Sequence, residues 1–499
     1  MRERLRPWAW PALFAGLAVL YALARKAYFV GFFNDDAFYL IGARSLLGGR
    51  YAELNAPDQP PLVNYMPGYS LLLAPVLGLS RGSLAAAQAF SAALLLAALW
   101  LCRARLWDEL PAAPLAAAVL VAGLNPLAVS MSGTVLSDVP FLFLSVLSLC
   151  LARGAWDKER LSSWAAPALA AGLAALVRPS GAALIVALVL ALTLERRFGL
   201  AAFCGLLAGL APAAFLLRNL HYTGRSLMYF VEFASPYRGG GGLGALWSIL
   251  SANLAYYPRF LFVTTLFRWP FQAAVLDAAT IGLCLGLVAI GVRDEGGLGW
   301  RKFGRIFLAI FVLAHLLWSK QAGRYLLPVA PFAAAYLFRG LGVMGRRAGV
   351  GEIPVAGALA LSLLLCAAPD ARIVHASLFE RTPLTSPPER TLAWIRDSTP
   401  EGAVFAAELD GRLYLLTGRP AVHLRRFEAP GEFRRWLAGS GAGYVLVFPN
   451  NFAMKTPTGR AFNDPTPAGL LESTLAADPD CRLVFEDEGE GAKIYRVGN

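Results

Sequence analysis

Charged residues are scarce in this chain of 499 residues. Asp, Glu, Lys and Arg make up 16% of the sequence and hydrophobic residues 57%, whereas soluble globular domains contain about 25% charged residues. The shortage is confined to residues 1–371, which hold 17 acidic and 30 basic residues, while residues 372–499 hold 16 and 15. The sequence therefore predicts a basic membrane body followed by a near-neutral soluble tail.

Patterns typical of metal, redox and nucleotide sites are also missing. The six cysteines are scattered without any CxxC pair, and the four histidines show no HExxH spacing, so a zinc site or a disulfide framework is not expected. The glycine run at 239–242 lacks the Gly-Lys-Ser/Thr of a phosphate loop and favours a hinge. The tail has no basic face with interleaved aromatic residues, which excludes nucleic acid as an expected partner.

Hydrophobic runs near 20 residues, which can cross a bilayer as helices, recur along the body. The first follows Arg2, Arg4 and Arg6 and has no small-residue cleavage site, which indicates a retained anchor with a cytoplasmic N-terminus. About eleven spans are predicted, at residues 8–33, 83–102, 112–130, 138–152, 162–177, 180–194, 199–217, 271–292, 303–319, 325–341 and 353–369.

Alternating these spans places the clusters of basic residues in the cytoplasm, as the positive-inside rule requires for a bacterial inner-membrane protein. Two long loops, 34–82 and 218–270, and the tail then lie on the periplasmic side, although an even span count would keep the tail inside. We predict an α-helical polytopic membrane module at 1–370, a linker at 371–388 and a small periplasmic α/β domain at 389–499.

The tail shows alternating short helical and strand patterns. Helices are predicted at 391–397 and 432–437, strands at 403–407 and 444–448, and a terminal hairpin at 482–486 with 493–497.

Three carboxylates are predicted near the outer membrane surface. A charged side chain at the centre of a membrane helix costs about 2.5–3.5 kcal/mol, so acids that persist near the bilayer usually have a function. Asp35 and Asp36 follow the first span, and Asp138 lies at the outer end of the fourth. The alternative is that Asp35 and Asp138 only cap helices. Three such acids could also hold a divalent metal, although neighbouring helical residues point about 100° apart.

Two arginines are predicted on the same side of the membrane. Arg324 and Tyr325 open the tenth span, and Arg178 lies in the turn between the fifth and sixth. A guanidinium at headgroup depth can bind a phosphate bidentately, and a snorkelling arginine is the alternative. Carboxylates and arginines together suit a reaction in which a hydroxyl loses its proton and a lipid phosphate departs.

Four motifs resemble one known superfamily, the GT-C polytopic glycosyltransferases that use lipid-phosphate sugars. The likeness is greatest to the group of protein O-mannosyltransferases and the lipid A aminoarabinose transferase, and it extends over about residues 8–370. The motifs are Asp35-Asp36-Ala37-Phe38-Tyr39, Pro60-Pro61-Leu62 with Tyr65-Met66-Pro67-Gly68-Tyr69, the acid Asp138, and the run from Arg324 to Pro328.

The resemblance implies an inverting transfer of one hexosyl or pentosyl unit from a polyprenyl phosphate to a hydroxyl acceptor at the periplasmic face. It implies no required cofactor. In the implied site Asp35 is the base, and Asp36 and Asp138 orient it or the acceptor. The residues around the lipid phosphate are Arg324, Tyr325 and Arg178. The substrate-loop residues are Tyr39, Tyr65 and Tyr69.

Two departures from the family pattern are visible. Asn64 and Tyr65 stand where relatives often carry Lys or His, and the Trp-Trp-Asp signature of oligosaccharyltransferases is absent. Three alternatives stay open: a flippase or transporter of lipid-linked saccharides, a polymerase or ligase of surface polysaccharide, and a non-catalytic scaffold.

Overall fold

The computed structural model of the chain is mainly helical. It describes residues 8–224, 233–234, 237, 242–268, 273–296, 299–425, 427, 429–448, 454–455, 461–462 and 468–498. The three arginines before the first predicted span and the first three glycines of the predicted hinge lie outside these residues.

The helices and strands of the described residues are named in chain order. The helices are α1 (Ala9–Leu23), α2 (Asp35–Leu47), α3 (Pro67–Leu79), α4 (Leu84–Leu101), α5 (Ala112–Leu124), α6 (Pro126–Met131), α7 (Asp138–Ala155), α8 (Leu161–Val177), α9 (Ala182–Leu194), α10 (Phe198–Thr223), α11 (Gly242–Pro258), α12 (Ala274–Glu295), α13 (Trp300–Leu316), α14 (Ala330–Arg347), α15 (Ile353–Phe379), α16 (Glu389–Ser398), α17 (Asp410–Thr417), α18 (Pro430–Ser440) and α19 (Ala468–Ala476). The strands are β1 (Phe405–Ala407), β2 (Ala421–His423), β3 (Tyr444–Val447), β4 (Met454–Lys455), β5 (Ala461–Phe462), β6 (Cys481–Asp487) and β7 (Ala492–Val497).

Apolar helices occupy the predicted spans. Within the described residues, five helical segments are long and apolar enough to cross a membrane: Leu84–Leu106, Asp138–Ala155, Phe198–Thr223, Ala274–Glu295 and Ile353–Phe379. The helical membrane fold is thus confirmed, whereas the count of eleven spans stays a prediction, because several of the remaining apolar helices are shorter.

The chain forms two compact units. The first comprises Met1–Ala27 and Ala85–Glu380, and the second comprises Tyr28–Leu84 and Arg381–Asn499. Within the first unit, helices α12 and α14 approach closely, since a Cβ on Gly340 would overlap the carbonyl oxygen of Leu287. Small residues at such crossings allow membrane helices to pack backbone against backbone. All six cysteines are free, as predicted.

The second unit contains a five-stranded sheet in the order β2-β1-β3-β7-β6. Strand β1 is parallel to β2 and β3, whereas β7 is antiparallel to β3 and β6. Because side chains alternate along a strand, both faces of the sheet carry buried residues, with Phe405 and Ile494 in one cluster and Val445 and Leu475 in the other. The helices, strands and hairpin predicted for the tail are found.

Two boundaries differ from the predicted domain limits. Helix α15 continues through Pro369 to Phe379, so residues 371–379 of the predicted linker are helical. A proline inside a membrane helix is tolerated because its neighbours satisfy the freed backbone groups. The first long loop, grouped with the membrane module in the sequence, belongs instead to the unit of the C-terminal domain. The amide of Phe29 donates to the Leu384 carbonyl at 2.9 Å.

Candidate active site

Asp35 is the first residue of helix α2, and its side chain remains partly exposed. The Tyr65 hydroxyl donates a hydrogen bond to Oδ1 of Asp35 at 3.1 Å. The cap position is taken by Asn34, which makes no side-chain capping bond to the helix. The alternative that Asp35 is an N-cap is therefore wrong, and its carboxylate is presented at the start of a helix, where the dipole favours a negative charge.

Asp36 has a different environment from its neighbour. Its side chain is buried, Oδ2 accepts a hydrogen bond from the Gly31 amide at 2.7 Å, and Oδ1 accepts from the Ala37 amide at 3.0 Å. Burial raises the pKa of this carboxyl to about 7, although the Gly31 hydrogen bond and the charge of Arg412 oppose the rise. Asp36 thus stabilises the turn at residues 31–34 through its hydrogen bond with the Gly31 amide.

Three tyrosines of the first loop form an aromatic cluster, and one of them, Tyr65, contacts Asp35. The ring of Tyr65 stacks on Phe38 with centroids 4.7 Å apart, and Tyr39 makes edge contacts with both Tyr65 and Tyr69. The Ser70 hydroxyl donates to the Tyr39 carbonyl at 2.9 Å, which joins α3 to α2. The predicted substrate-loop tyrosines therefore lie together.

Residues of the C-terminal domain complete this region. Arg412, in helix α17, donates from Nε to the Gly31 carbonyl at 2.7 Å and from Nη2 to the Phe32 carbonyl at 2.6 Å. Its amide donates to Oδ1 of Asn34 at 3.0 Å. Burial lowers the pKa of the guanidinium to about 10, and Asp36 opposes that change. Sequence reasoning missed Arg412, because nothing in the local sequence reveals a partner near residue 31.

A second polar group joins the first loop to α17. Asp410 accepts hydrogen bonds from the side-chain amides of Asn34 at 3.3 Å and Asn55 at 2.9 Å. His423 lies 3.6 Å from Asp410, and this contact raises the pKa of the imidazole. Burial raises the pKa of Glu53 to about 7, and repulsion from the charge of Asp410 makes a smaller contribution to this rise. Titratable side chains of the first loop and of the tail therefore influence one another's pKa.

The other predicted residues lie in the first unit, around Asp138. This carboxylate is 1% exposed, Arg178 donates to its Oδ1, and Nη1 of Arg324 lies 4.0 Å from its Oδ2. Both guanidinium groups lie over the Tyr325 ring, 5.3 and 5.8 Å from its centroid. Each arginine side chain is only 13% exposed, so the snorkelling alternative is not supported. Asp138 is itself the first residue of α7, and the cap position is taken by Ser137.

Two polar residues inside spans have structural contacts. Nδ1 of His315 lies 2.8 Å from the Phe311 carbonyl, and its ring packs against Phe311 and Tyr325. His315 is therefore packed and hydrogen-bonded within the first unit. Asp277 is paired with Arg259 of the second long loop at 2.7 Å.

The predicted site residues thus form two groups, one in each unit. The first group is Asp35, Asp36, Tyr39, Tyr65 and Tyr69, and the second is Asp138, Arg178, Arg324 and Tyr325. Over the described residues, no three His, Cys, Asp or Glu side chains converge in a way that could hold a metal ion. The first group offers an accessible carboxylate, and the second offers two cations on an aromatic ring.

Known proteins share parts of this sequence and this fold. Residues 58–220 match the family of dolichyl-phosphate-mannose-protein mannosyltransferases, which is less than half of the chain. No curated protein sequence matches significantly. The crystal structure of ArnT from Cupriavidus metallidurans bound to undecaprenyl phosphate is similar over 98% of this chain and 98% of that chain, with 13% identity and a TM-score of 0.57.

Two archaeal structures are also similar. The Archaeoglobus fulgidus oligosaccharyltransferase in complex with zinc and sulfate has 14% identity and a TM-score of 0.55, covering 86% of this chain and 67% of that chain. AglB from Archaeoglobus fulgidus, in complex with an inhibitory peptide and a dolichol-phosphate, has 14% identity and a TM-score of 0.53, covering 88% and 70%. At these identities the structures show a shared fold, and together with the family match over residues 58–220 they confirm the resemblance to GT-C glycosyltransferases that the motifs predicted.

Proposed function

We propose that this protein transfers a single sugar from a polyprenyl-phosphate donor to a hydroxyl acceptor at the periplasmic face of the bacterial inner membrane, with inversion at the anomeric carbon. The observation that carries the proposal is the contrast between the two adjacent acids. Asp36 is buried with both oxygens bonded to backbone amides, whereas Asp35 is partly exposed and held by Tyr65. The Asp35 carboxylate is therefore accessible to an acceptor.

In this proposal, the Asp35 carboxylate removes the proton of the acceptor hydroxyl. The acceptor oxygen attacks the anomeric carbon, the bond from that carbon to the phosphate oxygen breaks, and its electron pair leaves with the lipid phosphate. Arg178 and Arg324 neutralise the charge that develops on this phosphate. Asp138 orients the two guanidinium groups through the contacts described above.

The donor class has support from two solved relatives. ArnT was crystallised with undecaprenyl phosphate, and AglB was solved with a dolichol-phosphate. Both ligands are phosphates on long isoprenoid chains, and the two partly buried guanidinium groups of Arg178 and Arg324 match such a phosphate in charge.

The test uses the purified full-length protein in lipid vesicles with a panel of radiolabelled polyprenyl-phosphate sugars. We expect Asp35→Asn to reduce label transfer at least about 100-fold, the contribution typical of a general base. Asp58→Asn is the matched control, because Asp58 is an exposed acid of the same loop, and we expect it to change the rate less than twofold.

Each outcome of this experiment discriminates between functions. Near-normal transfer by a well-folded Asp35→Asn variant would overturn the assignment of the base. Movement of labelled lipid across the bilayer without transfer would indicate a flippase, and transfer of chains longer than one sugar would indicate a polymerase or ligase. We expect activity to survive exhaustive chelation, because both oxygens of Asp36 are already bonded and Asp138 is paired with Arg178.

A further inference from the structure

The turn that presents Asp35 has an unfavourable backbone conformation. Asn34, directly before it, has φ of +60° and ψ of −40°, and a non-glycine residue in the left-handed region costs on the order of 1 kcal/mol or more. Such a conformation persists only where surrounding contacts stabilise it. The contacts around residues 31–34 therefore decide where the Asp35 carboxylate points.

Most of the contacts that fix this turn from outside come from one short helix of the C-terminal domain. The Arg412 side chain binds the carbonyls of Gly31 and Phe32, and its backbone amide binds the Asn34 side chain. The guanidinium also lies over the Phe29 ring, 5.2 Å from its centroid. Three hydrogen bonds and one ring contact thus connect residue 412 to the segment 29–34.

The approach of this helix to α2 is close. A Cβ on Gly411 would lie 2.9 Å from a ring carbon of Phe38 and 3.1 Å from Oδ1 of Asn34. A side chain at residue 411 would therefore have to displace the Phe38 ring or the Asn34 amide. The glycine before Arg412 allows helix α17 to lie this close to the turn.

We propose that Arg412 is a positioning residue for the proposed sugar transfer, and that the C-terminal domain acts through it to hold Asp35 in its productive orientation. This inference rests on the proposed function, because it presumes that Asp35 is the base. Arg412 does not itself touch substrate in this assignment. It acts through the backbone of residues 31–34. Asp36 contacts the same turn, because its carboxylate accepts a hydrogen bond from the Gly31 amide.

The test compares Arg412→Met and Arg412→Lys with the wild-type enzyme in the vesicle assay. We expect Arg412→Met to lower kcat about 10- to 100-fold, because misplacement of a catalytic group by about 1 Å can have an effect of this size. The KM for the donor should change less than threefold. Arg412→Lys should recover part of kcat, since it keeps the charge but replaces three nitrogens by one.

The pH dependence of kcat gives a readout that general loss of folded protein would not change. The charge of Arg412 lowers the pKa of Asp36, whereas burial and the charge of Asp35 raise it. The ionised form of Asp36 is the one that accepts the two amide hydrogen bonds. We therefore expect the acid limb of the profile to move to higher pH in Arg412→Met and to stay near its wild-type position in Arg412→Lys.

Two further variants separate positioning from stability. Arg419→Met is the matched control, since this buried arginine donates to the carbonyls of Arg396 and Thr399 and to the Thr399 hydroxyl, all within the tail. It should lower the unfolding midpoint and leave kcat per folded molecule and the pH profile unchanged. Asn34→Gly keeps the positive φ accessible and removes the side-chain bonds to α17, so it should fold normally and lose kcat about threefold to tenfold.

The two proposals fail in different ways. If Asp35→Asn is inactive while Arg412→Met and Asn34→Gly keep wild-type kcat and pH profiles, the positioning role is overturned and the proposed function stands. If Asp35→Asn retains activity, both are overturned. If Arg412→Met does not fold, the Asn34→Gly result decides, and a wild-type kcat in that variant overturns the positioning role.

Discussion

Replacing Asp138 by asparagine tests the charge arrangement in the first unit. The substitution keeps the shape of the side chain and removes the negative charge that faces Arg178 and Arg324. At 4.0 Å, the distance from Arg324 Nη1 to Asp138 Oδ2, two unit charges attract each other by about 4 kcal/mol at an effective dielectric constant of 20. The shorter contact with Arg178 adds to this attraction, and the desolvation of three buried charges opposes it.

The net effect follows from the burial of the carboxylate. Asp138 is 1% exposed, and removing one partner of a buried ion pair destabilises a protein by about 3–5 kcal/mol. We expect Asp138→Asn to lower the free energy of unfolding by this amount, measured by SDS titration of the protein in dodecyl maltoside. Asp108→Asn is the control, because Asp108 pairs with Arg153 at 2.6 Å but is 43% exposed, and exposed pairs contribute about 0–1 kcal/mol.

An added anion extends this experiment to function. If the two guanidinium groups bind phosphate, undecaprenyl phosphate in the detergent should stabilise Asp138→Asn more than wild type, since it restores the missing negative charge. A ligand at 100 times its Kd stabilises by about 2.7 kcal/mol. A loss below about 1 kcal/mol for Asp138→Asn, equal to that of Asp108→Asn, would refute the reasoning that these charges are buried and interdependent.

Two further predictions concern the first loop. Tyr65→Phe keeps the ring stacked on Phe38 and removes the 3.1 Å hydrogen bond to Asp35. Because a hydrogen bond to a charged group contributes about 1.5 kcal/mol, we expect kcat per folded molecule to fall about tenfold, and an unchanged kcat would contradict this role. Burial and Asp410 raise the pKa of Glu53 from 4.5 to about 7, so the folded state binds this proton more tightly and stability falls as the pH rises through that window. Glu53→Gln should therefore be more stable than wild type at pH 8, by on the order of 1–3 kcal/mol, and equal stability of the two proteins at pH 8 in SDS titrations would count against it.

The sequence predicts the elements of this fold better than their associations. Hydropathy located the apolar helices because a bilayer demands long uncharged runs, and short apolar runs located the strands around Phe405 and Tyr444. The helix through Pro369 was cut short, since a proline is judged from sequence without the neighbours that compensate for it. The helix at Pro67–Leu79 was not predicted, because its residues were assigned to a loop.

Only part of the candidate site was predicted, because its geometry also depends on contacts that the local sequence does not reveal. The motifs identified Asp35, Asp36 and Asp138, but not which of the adjacent acids is buried. That difference depends on the left-handed turn at Asn34 and on the amide of Gly31. Arg412 could not be found at all, because it is 381 residues from the carbonyl that it binds, and a single sequence carries no signal for a contact at such a separation.

The discontinuity of the second unit has a consequence for the synthesis of the protein. Residues 28–84 belong to the same unit as residues 381–499, so the segment that carries Asp35 leaves the ribosome long before its packing partners exist. At about 5–20 residues per second, the interval between Leu84 and the last residue is roughly 20–80 s. During this time the aromatic cluster of the first loop lacks its C-terminal contacts. The hydrogen bonds with which Arg412 holds the turn before Asp35 can therefore form only after this residue has been synthesised.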